Sequence, residues 1–308
     1  MKLVIHIGTE KTASTSLQYF FDDNRKSFTQ VGVHYAKSFG ARNHRQLVAA
    51  CMDHSKTDQW INGRNLATKL NRSRLEARVR KKFTEEMSQL PDTINTVLVS
   101  SEHFHSRLTL ASELVTLNTF FDEFFSSIEV FVYLRRQSSV LESKYTTYLC
   151  AGGDKSFRQF AKVEAHLKDP YYEYATMLSL WSNEFGVANI KVKEFAPSQF
   201  YGQHICYDFL NRLNATIPLS CFELTEDKNR SLNRTGLNLL RLLNYIINAR
   251  KPDGSVNRKH RSMKFWILKW FRGAKPKLLS TTDAQRFDQH FELSNRAVEK
   301  LYDMSLFR

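Results

Sequence analysis

Short runs rich in β-forming residues recur along the chain at residues 3–7 (LVIHI), 96–100 (TVLVS) and 128–134 (IEVFVYL), and a further strand fits residues 190–195 (IKVKEF). Each is long enough for a buried strand, and polar, helix-compatible sequence lies between them. Residues 16–21 have helical character. Residues 73–90 open with Ser73 and Glu76 at capping-box spacing, residues 139–149 form a further helical stretch, and residues 171–185 run up to Gly186, a natural C-cap. Strands alternating with helices imply a mainly parallel, doubly wound α/β sheet. Beyond about residue 205 the chain reads as mostly helical, with Leu237, Leu240, Leu243, Tyr245 and Ile247 crowding one helix that begins near Ser231 or Asn233. The expectation is a single α/β domain over residues 1–308 with helical C-terminal additions.

Composition narrows the class. Hydrophobic residues make up 42% and charged residues 25%, with 11 Gly and 6 Pro, which excludes collagenous and disordered chains. The first apolar run is too short for a signal sequence and is interrupted by His6, so a cytoplasmic location is expected. The four cysteines form no C-x-x-C pair, which argues against a zinc ribbon or a disulfide scaffold and for reduced, structural thiols. Forty-five Lys and Arg against 31 Asp and Glu leave +14, and residues 250–277, with ten Lys or Arg and one Asp, carry +9 of it. Such a balance favours an anionic cofactor, substrate or surface.

Two segments bear chemistry. HIGTEKTASTSLQ, residues 6–18, joins the first strand to a helix through Thr9, Lys11, Thr12, Ser14, Thr15 and Ser16. Outward-pointing N–H groups at a helix start, a lysine and a cluster of hydroxyls together suit a phosphate. It is not a Walker A loop, which needs a second glycine before the lysine, and a plain N-cap is the alternative. His6, which precedes this loop, reads either as a residue lining the site or as a packed core histidine. VFVYLRRQSSVLESKYTTYL, residues 130–149, runs a strand into Arg135 and Arg136 and then into a helix bearing Ser143. Arginines at a strand's carboxyl end face the crevice where α/β sheets bind ligands, Ser139 is placed to cap the helix, and a solvated charge pair is the alternative.

Together these segments resemble the sulfotransferases that use 3′-phosphoadenylyl sulfate (PAPS), particularly their bacterial carbohydrate-type branch. The resemblance implies a P-loop-like fold and a 5′-phosphosulfate loop formed by Lys11, Thr12, Ala13, Ser14, Thr15 and Ser16. Ala13 stands where the family usually has glycine; if that position needs a positive φ, the Cβ costs energy. Arg135 with Ser143, eight residues on, is similar to the family's 3′-phosphate motif; the alternative register from Arg136 meets Lys144. FRQF near Phe157, YYEYATMLSLWSNEFG with NIKVKEF, and NRSLNRTGLNLLRLLN from Asn229 extend the likeness more loosely over about the first 248 residues. In similar sequences the NRSL element lies near the nucleotide, which adds Asn229 and Ser231, although Ser231 also reads as a simple helix cap.

Sulfuryl transfer to an alcohol needs a base for the hydroxyl proton and positive charge at the departing phosphate, but no metal. Lys11 is the electrophilic group. The base is sought at the end of TVLVS, where the resemblance places a catalytic Glu or His: Glu102 first, His103 second. The implied acceptor is a carbohydrate or glycolipid hydroxyl, and the product nucleotide is adenosine 3′,5′-bisphosphate (PAP). Residues 258–277 interleave cations with Phe265, Trp266, Trp270 and Phe271; they read as a solvated helix packed on the core, as an acidic-glycan or acceptor contact, or as a peripheral membrane patch. Nucleic-acid binding is disfavoured because no nucleic-acid motif accompanies the patch. A P-loop nucleotide kinase or related phosphotransferase, and a non-catalytic binding protein for acidic glycans or membranes, remain the alternatives.

Overall fold

The computed structural model describes residues 1–166, 171–214, 218–224, 231–251 and 253–307. They group into two compact units, one within Met1–Arg135, Pro170–Glu226 and Ser294–Arg308, the other within Arg136–Asp169 and Asp227–Leu293.

The first unit is built on a five-stranded sheet, β1 (Lys2–His6), β2 (Val33–Tyr35), β3 (Thr96–Ser100), β4 (Ser127–Leu134) and β5 (Ile190–Glu194), in the order β2-β3-β1-β4-β5. Every pairing is parallel, as the alternation of strands and helices predicts. Alternate side chains go to opposite faces. Leu3, Ile5, Val97, Val99, Val130 and Val132 enter one core with helices such as Lys69–Ser88 and Tyr174–Phe185. Val4, Leu98, Phe131 and Tyr133 enter the other with Leu17, Phe20 and Phe21 of α1 (Ser14–Asp23). Full burial of each such side chain stabilises by about 1.5–3 kcal/mol, so both faces must be covered and the sheet is doubly wound.

Strand order places the site. From β1 the chain goes to β2 and β3 on one side, then crosses to β4 and β5 on the other, so the order reverses between β1 and β4. His6 is level with Ser100 on β3 and Phe131 on β4. The segments after β1, β3 and β4 therefore leave the same carboxyl edge, where open α/β sheets bind ligands.

Several element ends differ from expectation. The three-residue β2, an edge strand paired only with β3, carries too little periodicity to be read. The helix expected from Ser73 starts at Lys69, with Thr68 Oγ1 accepting from the Asn71 N–H, because its buried stripe of Arg72, Leu75, Val79 and Phe83 begins before Ser73. Gly186 ends helix Tyr174–Phe185 at φ 84°, the conformation that favours glycine.

In the second unit, helix Gln137–Cys150 begins two residues before Ser139. Ser138 donates through both N–H and Oγ to the Asp288 carboxylate, 2.8 Å each, so a distant acid does the work expected of Ser139. Asn233, not Ser231, caps helix Arg234–Ile246, accepting from the Gly236 N–H at 2.9 Å. Leu237, Leu240 and Leu243 are buried as expected, whereas Tyr245 is 77% exposed. At 100° per residue Tyr245 points well away from the Leu240 side.

Candidate active site

After β1 the chain turns tightly through residues 7–13. Thr12 donates from Oγ1 to the Thr9 carbonyl at 2.6 Å, and Thr9 Oγ1 donates to the Tyr133 carbonyl on β4, which ties the turn to the neighbouring strand. Lys11 (φ 73°) and Ala13 (φ 59°) both lie in the left-handed region. Left-handed residues alternating with right-handed ones can aim backbone N–H groups at one anion as a nest, although the Thr12 N–H is already used by the Thr9 carbonyl at 3.3 Å. Ala13 thus takes the glycine-like conformation despite its Cβ, at a cost of about 1–2 kcal/mol.

Two features set this turn apart. Ser14 Oγ is buried and has no hydrogen-bond partner among the described residues. A Cβ on Gly8 would lie 2.4 Å from that oxygen, so only glycine makes room for the Ser14 side chain. Thr15 is exposed and Ser16 half-buried in the first turn of α1.

Arg135, at the end of β4, donates from Nη1 to the Lys11 carbonyl at 2.6 Å, and its guanidinium lies 5.4 Å from the centre of the Phe195 ring. Its own carbonyl accepts from the Tyr174 hydroxyl. Lys11 and Arg135 therefore meet at the reversal point of the sheet. Ser143, half-buried on helix Gln137–Cys150, belongs to the second unit. Of the other register, Arg136 approaches Asp288 at 3.8 Å and Lys144 pairs with Glu164 at 2.6 Å. Asn229 lies outside the described residues; the Ser231 carbonyl accepts from the Gly273 N–H.

Beyond β3, Glu102 is oriented by two amides on one oxygen: Oε2 accepts from Gln18 Nε2 at 2.9 Å and from Asn43 Nδ2 at 2.7 Å. Gln18 lies one turn beyond Ser14 on α1, so the carboxylate sits against the helix that opens at the nest. Oε1 is 3.8 Å from His103 Nε2. Burial, then the positive charges of Arg45 and Arg107, lower the His103 pKa against the opposing pull of Glu102, which keeps the imidazole neutral near pH 7. His6 is a core residue: it is buried, its Nδ1 lies 2.8 Å from Ser100 Oγ, and rings of Phe21, Tyr133 and Phe209 surround it.

Sequence reasoning missed three positioning groups. Gln18 was findable from its four-residue spacing to Ser14. Asn43 and Tyr171 carried no local signal, being 59 and 161 residues from their partners. The Tyr171 hydroxyl donates to Glu10 Oε2 at 2.6 Å; burial pushes the Glu10 pKa up, but this bond, one from Ser106 and the charge of Lys11 outweigh it and hold the carboxyl below its ordinary value.

No family model matches the chain. Over 197 residues it is 25% identical to an uncharacterized protein of Archaeoglobus fulgidus, a match covering 58% of this chain and half the length of that protein. Among solved structures, it is similar to a sulfotransferase from Alicyclobacillus acidocaldarius, with a TM-score of 0.48, 12% identity and coverage of 98% of this chain and 96% of that one. A sulfotransferase domain from the curacin biosynthetic pathway gives a TM-score of 0.37 at 11% identity over 94% and 96% of the two chains. Retinol dehydratase, solved with androsterone and the inactive cofactor PAP, gives 0.30 at 12% identity over 100% and 82%.

Proposed function

We propose that the protein transfers a sulfuryl group from 3′-phosphoadenylyl sulfate to a hydroxyl of a carbohydrate or glycolipid. The observation that carries this reading is the hydrogen bond from Arg135 to the Lys11 carbonyl: it joins the two segments that resemble the donor-binding motifs of sulfotransferases, in a turn whose buried Ser14 hydroxyl has no hydrogen-bond partner among the described residues.

In this reading the N–H groups of the turn, Lys11, Thr12 and the hydroxyls of Ser14, Thr15 and Ser16 hold the 5′-phosphosulfate, and Ala13 shapes the nest. Arg135 binds the 3′-phosphate, and the resemblance assigns Ser143, Asn229 and Ser231 to the nucleotide as well. When bound, the nucleotide supplies the activated sulfuryl group. The Lys11 ammonium stabilises negative charge as it grows on the phosphate side, a role suited to a fixed cation in a site from which water is excluded. Glu102, oriented by Gln18 and Asn43, accepts the acceptor's hydroxyl proton, and His103 stands beside it as the second base. The location proposed is cytoplasmic.

The test is turnover with sulfur-labelled donor against a panel of carbohydrate and glycolipid acceptors. Glu102→Gln is expected to lower kcat by about 10²–10⁴-fold with little change in donor affinity. A variant that keeps full turnover, while His103→Ala loses it, transfers the role to His103. Transfer of a labelled γ-phosphoryl group from ATP with Mg²⁺, with no sulfur transferred from PAPS, would make the chain a kinase.

A further inference from the structure

Helices Arg234–Ile246 and Arg258–Trp270 of the second unit pack on each other, and between them runs a groove of about 520 Å³ lined almost wholly by carbon. Its outer wall is open: Leu242 is 53%, Ile246 67%, Met263 48% and Trp266 53% exposed. Tyr245 and Trp270 are also exposed. Buried Leu243 and Ile267 floor the groove, while Met263 and Trp266 stand at its rim. One side of the helix thus meets its core while the other presents aliphatic and aromatic side chains to solvent, an arrangement that calls for a partner.

Charge decides which partner. The same stretch of chain, residues 250–277, carries ten Lys or Arg and one Asp. Lys259 and Lys269 are exposed on the helix, with the Lys269 ammonium 5.4 Å from the Trp270 ring. A second copy of this chain would bring two such cationic faces together, and a soluble glycan has no use for a groove of Leu, Ile and Met. Acyl chains meet the groove, and anionic headgroups meet the cations. Trp and Tyr at the rim suit the boundary between them. Among the described residues no helix is long and apolar enough to cross a membrane.

We propose that this face seats on the surface of an anionic phospholipid bilayer, with Leu242, Ile246, Met263 and Trp266 entering the acyl boundary and Lys259 and Lys269 at the headgroups. The proposal stands independently of the sulfuryl-transfer reading. It is tested by sedimenting the full chain with vesicles of phosphatidylcholine alone or mixed with phosphatidylserine. Pelleting with the mixed vesicles only is expected, with Trp fluorescence quenched by lipids brominated on their acyl chains. Lys259→Gln and Lys269→Gln should each weaken partitioning by about fivefold. Leu242→Ser with Ile246→Ser should weaken it by about tenfold or more. Both pairs replace exposed side chains, and an unchanged melting curve verifies the fold. Pelleting that is indifferent to Leu242→Ser with Ile246→Ser, or an absence of quenching, would reduce the contact to charge attraction and overturn the proposal. Self-association without lipid that is lost in that variant would also overturn it, by making the groove a dimer face.

Discussion

Replacing Ser14 by alanine should move stability and ligand affinity in opposite directions. In the free protein Ser14 Oγ is buried with no hydrogen-bond partner among the described residues, and leaving such a group unsatisfied costs about 1–3 kcal/mol. Alanine removes the oxygen, retains the Cβ, and is the better helix former by about 0.5 kcal/mol at the first position of α1. The free variant should therefore be more stable by about 1–3 kcal/mol, and each kcal/mol raises the unfolding midpoint by about 2–4 °C. If the hydroxyl is there to meet the donor's 5′-phosphate, the same change removes a hydrogen bond to a charged group worth about 1.5–3 kcal/mol, which weakens adenosine 3′,5′-bisphosphate about tenfold to a hundredfold. Denaturation of the free protein and calorimetric titration of the bisphosphate read the two effects separately. A variant that is less stable when free, yet binds the bisphosphate as tightly as the parent, would show that Ser14 is an ordinary structural cap and refute the reasoning.

Three further outcomes follow from the same geometry. Gly8→Ala puts a Cβ 2.4 Å from Ser14 Oγ, so it should cost about 1–3 kcal/mol by denaturation and abolish bisphosphate binding; unchanged binding would show that the nest is elsewhere. Arg135→Lys keeps the charge but loses the planar donor that reaches the Lys11 carbonyl, so bisphosphate affinity should fall at least about tenfold, and retention of affinity would make Arg135 a mere surface cation. His6 and His44 are each pushed down to about 3 by burial first, then by the charges of Arg212 and Arg25 respectively, and so are neutral in the fold. The unfolded chain protonates both below about pH 6.5, so stability is fully present above that pH and falls as pH drops toward about 3, by up to about 1.4 kcal/mol per pH unit for each; denaturation midpoints that stay flat across this window would contradict it.

The layout of the sheet was legible because β1, β3 and the second half of β4 are buried on both faces and read as apolar runs, whereas β2 has only Val33, His34 and Tyr35 with which to announce itself. Helix starts were less legible. A cap can come from anywhere in the chain: Ser138 finds Asp288, 150 residues away, and nothing beside Ser139 shows it. In the candidate site, the loop and the strand-end arginine stand out locally, and the glycine-like position expected of Ala13 shows in its φ of 59°. The contact between Arg135 and the Lys11 carbonyl spans 124 residues and is a product of strand order, which local periodicity does not encode. The same holds for Asn43, which reaches Glu102 only because the chain after β2 returns to the end of β3.

Whether Lys11 and Arg135 hold one donor nucleotide is read most directly by equilibrium titration of the full chain with adenosine 3′,5′-bisphosphate, set beside ATP with Mg²⁺. Saturable binding of the bisphosphate at one site per chain is expected, lost in Lys11→Ala and in Arg135→Ala while both variants keep the parent's fold. Binding of ATP with Mg²⁺ but not of the bisphosphate, or bisphosphate binding that survives both substitutions, would contradict it.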